Sequence, residues 1–146
     1  MFVHACLVVL IALAPLTGMP KPGEIPLYWR TRAERTEFRV TPDYDETMRF
    51  ARQLEGGSDW IRVISYGTSG QGRDLPLIVV SKDRAFTPEA ARASGKPIIL
   101  IQNGIHSGEI EGKDAALALI RDLAVLPFQR QGARRLAVVV ASHGDA

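Results

Sequence analysis

The sequence predicts an α/β protein: a mixed β-sheet with helices on both of its faces. Three observations carry that expectation. Short β-forming runs at residues 60–66, 75–80, 97–101 and 136–140 are interleaved with stretches at 41–54 and 115–126, whose apolar residues suit helices. A short glycine-rich turn, Gly67-Thr68-Ser69-Gly70-Gln71-Gly72, separates the first two runs, as in an antiparallel pair. A helix joins the last two, which makes them a right-handed parallel crossover. The 146 residues, 46% of them hydrophobic, are enough for one domain with a real core.

The chain opens with an unbroken apolar run over residues 5–16. That is shorter than the roughly 20 residues needed to span a bilayer. It fits the apolar stretch of a secretory signal, with cleavage near Ala14 or after Gly18. Residues 1–18 are therefore expected to be a signal peptide. Secretion, or export to a periplasm, follows, with no stable membrane association once the leader is removed. The single cysteine, Cys6, lies inside this run, so no disulfide framework is expected.

Residues 19–40 read as an extended linker, because Pro20, Pro22 and Pro26 crowd its first part. Leu27-Tyr28-Trp29 is placed to pack on the domain. Arg30, Arg32, Arg35 and Arg39 are interleaved with Glu34 and Glu37, the pattern of a solvated charged segment. The net charge of +2 supplies no bulk basic field, and a nucleic-acid partner is not expected.

Thr41-Pro42-Asp43 reads as a helix start: hydroxyl cap, proline in the first turn, then an acid. Tyr44, Thr47, Met48, Ala51 and Leu54 follow at helical spacing, and Gly56-Gly57 ends the helix. The turn at residues 67–72 invites comparison with a phosphate loop. It lacks the Lys-Ser/Thr ending and opens no helix, which argues against nucleotide binding. Thr87-Pro88-Glu89 starts a short helix that stops at Gly95. The nearly continuous apolar run at 97–101 predicts a central strand covered on both faces. The helix over 115–126 is apolar around most of its girth, with Asp114, Arg121 and Asp122 as its polar positions.

Between the third strand and that helix lies Asn103-Gly104-Ile105-His106-Ser107-Gly108-Glu109. Loops that leave a strand and feed a helix are where open α/β sheets bind their ligands. An imidazole nitrogen and a carboxylate oxygen are zinc-ligand types, and the flanking glycines let the backbone turn sharply. The bare spacing is weak: with 3 histidines, such a pair arises by chance in about one chain of this composition in six. Two readings stand at this point. His106 and Glu109 are two of the three protein ligands of a catalytic zinc, or Glu109 caps the helix and His106 is a loop residue. His143 follows the last strand and is a weak candidate for a third ligand. Glu111 is a candidate general base, or a surface residue of the helix.

The motif and its surroundings resemble a known family. Residues 103–109, followed by Glu111-Gly112-Lys113-Asp114, look like the zinc signature of the zinc carboxypeptidases, the carboxypeptidase A-like metallopeptidases. Thr41-Pro42-Asp43-Tyr44-Asp45-Glu46-Thr47 resembles the start of the first helix in bacterial members. Tyr66-Gly67-Thr68-Ser69-Gly70-Gln71-Gly72-Arg73-Asp74-Leu75-Pro76-Leu77 resembles the turn and second strand that precede the zinc loop. The likeness covers residues 41–140. It implies a carboxypeptidase-like layered α/β/α fold, zinc as cofactor, and peptide or protein substrates. It makes His106 and Glu109 the first two zinc ligands and places Arg73 near an outer substrate subsite. The family's third ligand, its carboxylate-gripping arginine and asparagine, its tyrosine and its catalytic glutamate have no matching position here.

After the last strand this chain reads Ser142-His143-Gly144-Asp145, where the family runs into an Asn-x-Asp-Gly-like turn. Residues 41–146 are therefore expected to be the N-terminal part of a catalytic domain, incomplete at its C-terminus and inactive alone. Two rivals remain. An aspartoacylase or succinylglutamate desuccinylase-like amide hydrolase shares a His-x-x-Glu loop after a strand. A non-catalytic module could keep the fold without the chemistry.

Overall fold

The computed structural model describes residues 24–106 and 108–126, and the backbone of residues 137–142. The expected leader at 1–18, the first residues of the expected linker (19–23) and His143 lie outside the described residues. After a 3-10 turn at Leu27–Trp29 come α1 (Arg32–Arg35), α2 (Tyr44–Gly57), β1 (Ile61–Thr68) and β2 (Asp74–Ser81). Then follow α3 (Pro88–Ala93), β3 (Ile98–Asn103), α4 (Glu111–Ala124) and β4 (Ala137–Ser142). The strands form one mixed sheet in the order β1-β2-β4-β3. The β1–β2 hairpin is antiparallel, β4 is antiparallel to β2, and β3 is parallel to β4.

Alternation along the strands decides what each sheet face meets. Ile61, Val63, Ile78 and Val80 point to one face, where Phe50, Ala51 and Leu54 of α2 and Ala116, Leu117, Ile120 and Ala124 of α4 cover them. Ile64, Leu77 and Val79 belong to the other face and line a cavity of about 270 Å³ with Phe86 and Ala91, on and before the short α3. The predicted mixed sheet with helices on both faces is the observed one. Among the described residues, no helix is long and apolar enough to cross a membrane.

Three expectations need correction. The run at 97–101 becomes β3, but β4 inserts between β2 and β3, so β3 is the outer strand of the described sheet. Ile98, Ile99 and Leu100 are exposed there rather than covered on both faces. A continuous apolar run reports burial potential, not position in the strand order.

Secondly, α2 starts two residues later than its sequence signals suggest. Asp43 is the N-cap, its carboxylate accepting from Glu46 N at 2.7 Å, while Pro42 is buried ahead of the helix. α2 does end at Gly57, as the sequence predicts, but that glycine is not left-handed, and a Cβ there would collide with the Trp29 ring.

The third correction concerns residues 24–40, which are not simply extended. Thr31 and Glu34 form a reciprocal capping box on α1. Arg121, one of the polar positions of α4, is 1% exposed and donates to Glu34 Oε2 at 2.5 Å, Asp122 Oδ1 at 2.7 Å and Trp29 O at 3.2 Å. Burial raises the Glu34 pKa, but the bonds from Arg121 and Thr31 outweigh it and hold the carboxyl below its usual range. Gln53 Nε2 donates to Tyr28 O at 2.6 Å, and Trp29 packs against the core. The segment thus binds across α2 and α4. Arg39 and Glu37 do pair in solvent, at 2.9 Å, as expected of a charged surface run.

Candidate metal centre

The loop after β3 is built by its glycines. Gly104 takes φ +63° and Gly108 φ +94°, left-handed conformations that cost a side chain strain. Between them the chain doubles back, and Glu109 N donates to His106 O at 3.2 Å. Helix α4 then begins at Glu111, with Ile110 as N-cap and no side-chain cap. The reading in which Glu109 caps the helix is therefore not the observed arrangement. Its carboxylate turns back to His106, with Oε1 2.9 Å from Nδ1 and Oε2 accepting from the His106 backbone N at 3.4 Å.

The two side chains are largely exposed, at 78% for His106 and 58% for Glu109. Hydrogen bonds from the His106 ring and backbone hold the Glu109 carboxyl below its usual range, so it is ionised at neutral pH. An ionised carboxylate can only accept, so in this contact Nδ1 donates its proton to Oε1. A divalent metal would take the same two atoms and release that proton. Two ligands of tetrahedral zinc lie ~3.3 Å apart for bond lengths near 2.05 Å, so the 2.9 Å pair fits such an ion with a small opening. The fit is partial: among the described residues no cluster of three or more His, Cys, Asp or Glu could hold a metal. Glu111 is the exposed first residue of α4 and lines a cavity of about 480 Å³ on that helix's flank, together with residues of the 25–41 segment.

Behind the loop, α4 presses on β3. A Cβ on Gly112 would come within 2.6 Å of Asn103 Oδ1, so glycine permits the helix to sit against the strand end. Lys113, 8% exposed, donates from Nζ to Pro42 O at 2.5 Å and ties the first turn of α4 to the start of α2.

Strand register places Arg73 at the same end of the sheet. Leu77 pairs with Ala141, and Ala141 with Gln102, so Leu77 and Gln102 are level. β2 begins at Asp74, just after Arg73, at the end of the sheet where β3 finishes at Asn103 and passes into the His106 loop. The two strands lie two spacings apart, about 10 Å. Arg73 and the His106 loop therefore share one end of the sheet. Its guanidinium lies over the Tyr44 ring, 5.4 Å from the centroid, and the Tyr44 hydroxyl donates to Asp74 O at 3.0 Å. Helical spacing had placed Tyr44 on the core face of α2; it was the neighbouring turn that claimed it.

The described residues thus form a layered α/β fold that carries a paired imidazole and carboxylate, both metal-ligand types, in the loop after a parallel strand. The zinc carboxypeptidase family model matches residues 47–136, and the chain belongs to that family. Among solved structures, the fold resembles the carboxypeptidase A from Helicoverpa armigera, with a TM-score of 0.57 at 17% identity. That match covers 69% of this chain and 24% of the carboxypeptidase A chain, so this chain spans about a quarter of that structure's length. No curated protein sequence matches.

Proposed function

We propose that this chain is the metal-loop portion of a zinc-dependent carboxypeptidase-like hydrolase that cleaves peptide bonds. The observation that carries the reading is the 2.9 Å convergence of His106 Nδ1 and Glu109 Oε1 in the strand-to-helix loop of a zinc carboxypeptidase fold. Bound there, zinc supplies Lewis-acid polarisation of a carbonyl and a lowered pKa for attacking water. The chain's own residues do the rest of what can be assigned here. His106 offers Nδ1 once its proton is lost, and Glu109 offers an ionised oxygen. Gly104 and Gly108 hold the two in one turn. Arg73 presents a guanidinium that binds substrate oxygens beside the loop.

The described residues supply two of the three protein ligands that a catalytic zinc takes, and no assigned general base. We infer that the 146-residue chain by itself is inactive and that peptide turnover needs groups beyond the described residues. Residues 1–18 act as a secretion signal, which puts that protein outside the cell or in the periplasm. The test is zinc content and release of C-terminal residues from short peptides by the protein as its native source makes it. One bound zinc per chain and turnover, both lost in His106→Ala, are expected. Turnover of N-acyl amino acids with none of peptides would overturn the substrate class. Turnover that survives His106→Ala would overturn the metal assignment.

A further inference from the structure

The turn before β2 holds its arginine in a specific way. Gly72 adopts φ +78°, Ser69 N donates to Arg73 O at 2.8 Å, and Arg73 N donates to Ser69 Oγ at 3.2 Å, so the backbone at Arg73 is fixed. The side chain is fixed separately. Its guanidinium sits 5.4 Å from the Tyr44 ring centroid, within the range of a cation–π contact. The ring is in turn anchored, because the Tyr44 hydroxyl donates to Asp74 O at 3.0 Å, beside the arginine it carries. Tyr44 is the first residue of α2, whose cap at Asp43 sets the direction in which it leaves the helix.

We propose that Tyr44 is a positioning residue for substrate: it holds the Arg73 guanidinium at the end of the sheet that carries the His106–Glu109 loop. Because β2 and β3 are separated by β4, Arg73 meets oxygens of a longer peptide away from the bond being cut rather than at it. This rests on the reading of Arg73 as a substrate contact. It adds that an aromatic ring at position 44, rather than the arginine alone, sets the preference for longer peptides. An unsupported arginine samples many rotamers, and ordering it at binding weakens the complex.

Two measurements test it. In the chain itself, the Arg73 Cδ protons should show an upfield ring-current shift by NMR, kept in Tyr44→Phe and lost in Tyr44→Leu. Absence of that shift in the unaltered chain overturns the proposal without reference to activity. In the full-length enzyme, Tyr44→Leu should raise KM for a tetrapeptide about two- to five-fold, the value of one exposed cation–π contact. The rise should be absent for a dipeptide, kcat should stay within twofold, and Tyr44→Phe, which keeps the ring but loses its bond to Asp74 O, should show a smaller rise than Tyr44→Leu. Arg73→Met should raise the tetrapeptide KM at least as much. If Arg73→Met raises KM and Tyr44→Leu does not, the role of Tyr44 is refuted while the substrate contact stands. If Arg73→Met changes nothing, the substrate contact fails and the proposal with it.

Discussion

Replacing Arg121 with leucine removes the cation that ties residues 24–40 to α4. In the folded chain Arg121 is 1% exposed, Glu34 17% and Asp122 29%. Breaking a fully buried pair costs about 3–5 kcal/mol, because the remaining charge is stranded. Here the stranded charges keep partial contact with water, and Glu34 still accepts from Thr31 N at 2.7 Å. Trp29 O also loses its donor, while leucine restores part of the packing. The expected cost is therefore about 2–3 kcal/mol, below the fully buried value. Urea unfolding followed by tryptophan fluorescence reads it directly, since Trp29 lies at the contact. With a slope of about 1.5 kcal/mol/M, the midpoint should fall by roughly 1.5 M at unchanged slope. Arg121→Leu combined with Glu34→Leu should lose less than the sum of the two single changes, because each removes the same interaction. A midpoint within 0.3 M of the unaltered protein for Arg121→Leu would refute the reasoning and return residues 24–40 to the status of a linker.

The remaining predictions concern the same framework. Gly112→Ala puts a methyl group within 2.6 Å of Asn103 Oδ1, so the Asn103 side chain or the first turn of α4 must shift, at a cost of about 1–3 kcal/mol measurable in the same titration. The Glu34 carboxyl is held below its unfolded value of 4.5, so its share of stability is present above pH 4.5 and is lost as pH falls through the lower folded value. Burial raises the pKa of Asp114, which works the other way: its share is present below 3.8 and is lost as pH rises through the raised folded value. Glu34→Gln should therefore flatten the loss of stability below pH 4.5, and Asp114→Asn should remove the opposing slope, both seen as thermal midpoints across pH.

Most of the architecture was legible because it rests on local signals. The alternating run in β1, the apolar run in β2, the glycine-rich turn between them, the Thr87 cap of α3 and the apolar girth of α4 all describe nearest-neighbour physics. Long-range placement was not. The run at 97–101 does not encode which strand β4 chooses to lie beside, so β3 was read as central. Arg121 follows Leu117 and precedes Ala124 on the buried stripe of α4, but its partner Glu34 lies 87 residues away. One missed signal was present: Thr31-x-x-Glu34 is a capping box, and it announces α1 inside a segment judged by its prolines and charges. At the loop, residue types and glycine spacing exposed His106 and Glu109. Spacing could not show that the carboxylate faces the imidazole rather than the helix, nor that Tyr44 leaves the core to lie under Arg73.

If His106 and Glu109 share one zinc ion, anomalous X-ray scattering at the zinc edge from crystals of the full-length protein should show it. A single peak is expected, with His106 Nδ1 and a Glu109 carboxylate oxygen about 2.0–2.2 Å away, and it should vanish in His106→Ala. A zinc peak held by other residues, with His106 and Glu109 still paired to each other at 2.9 Å, would contradict it.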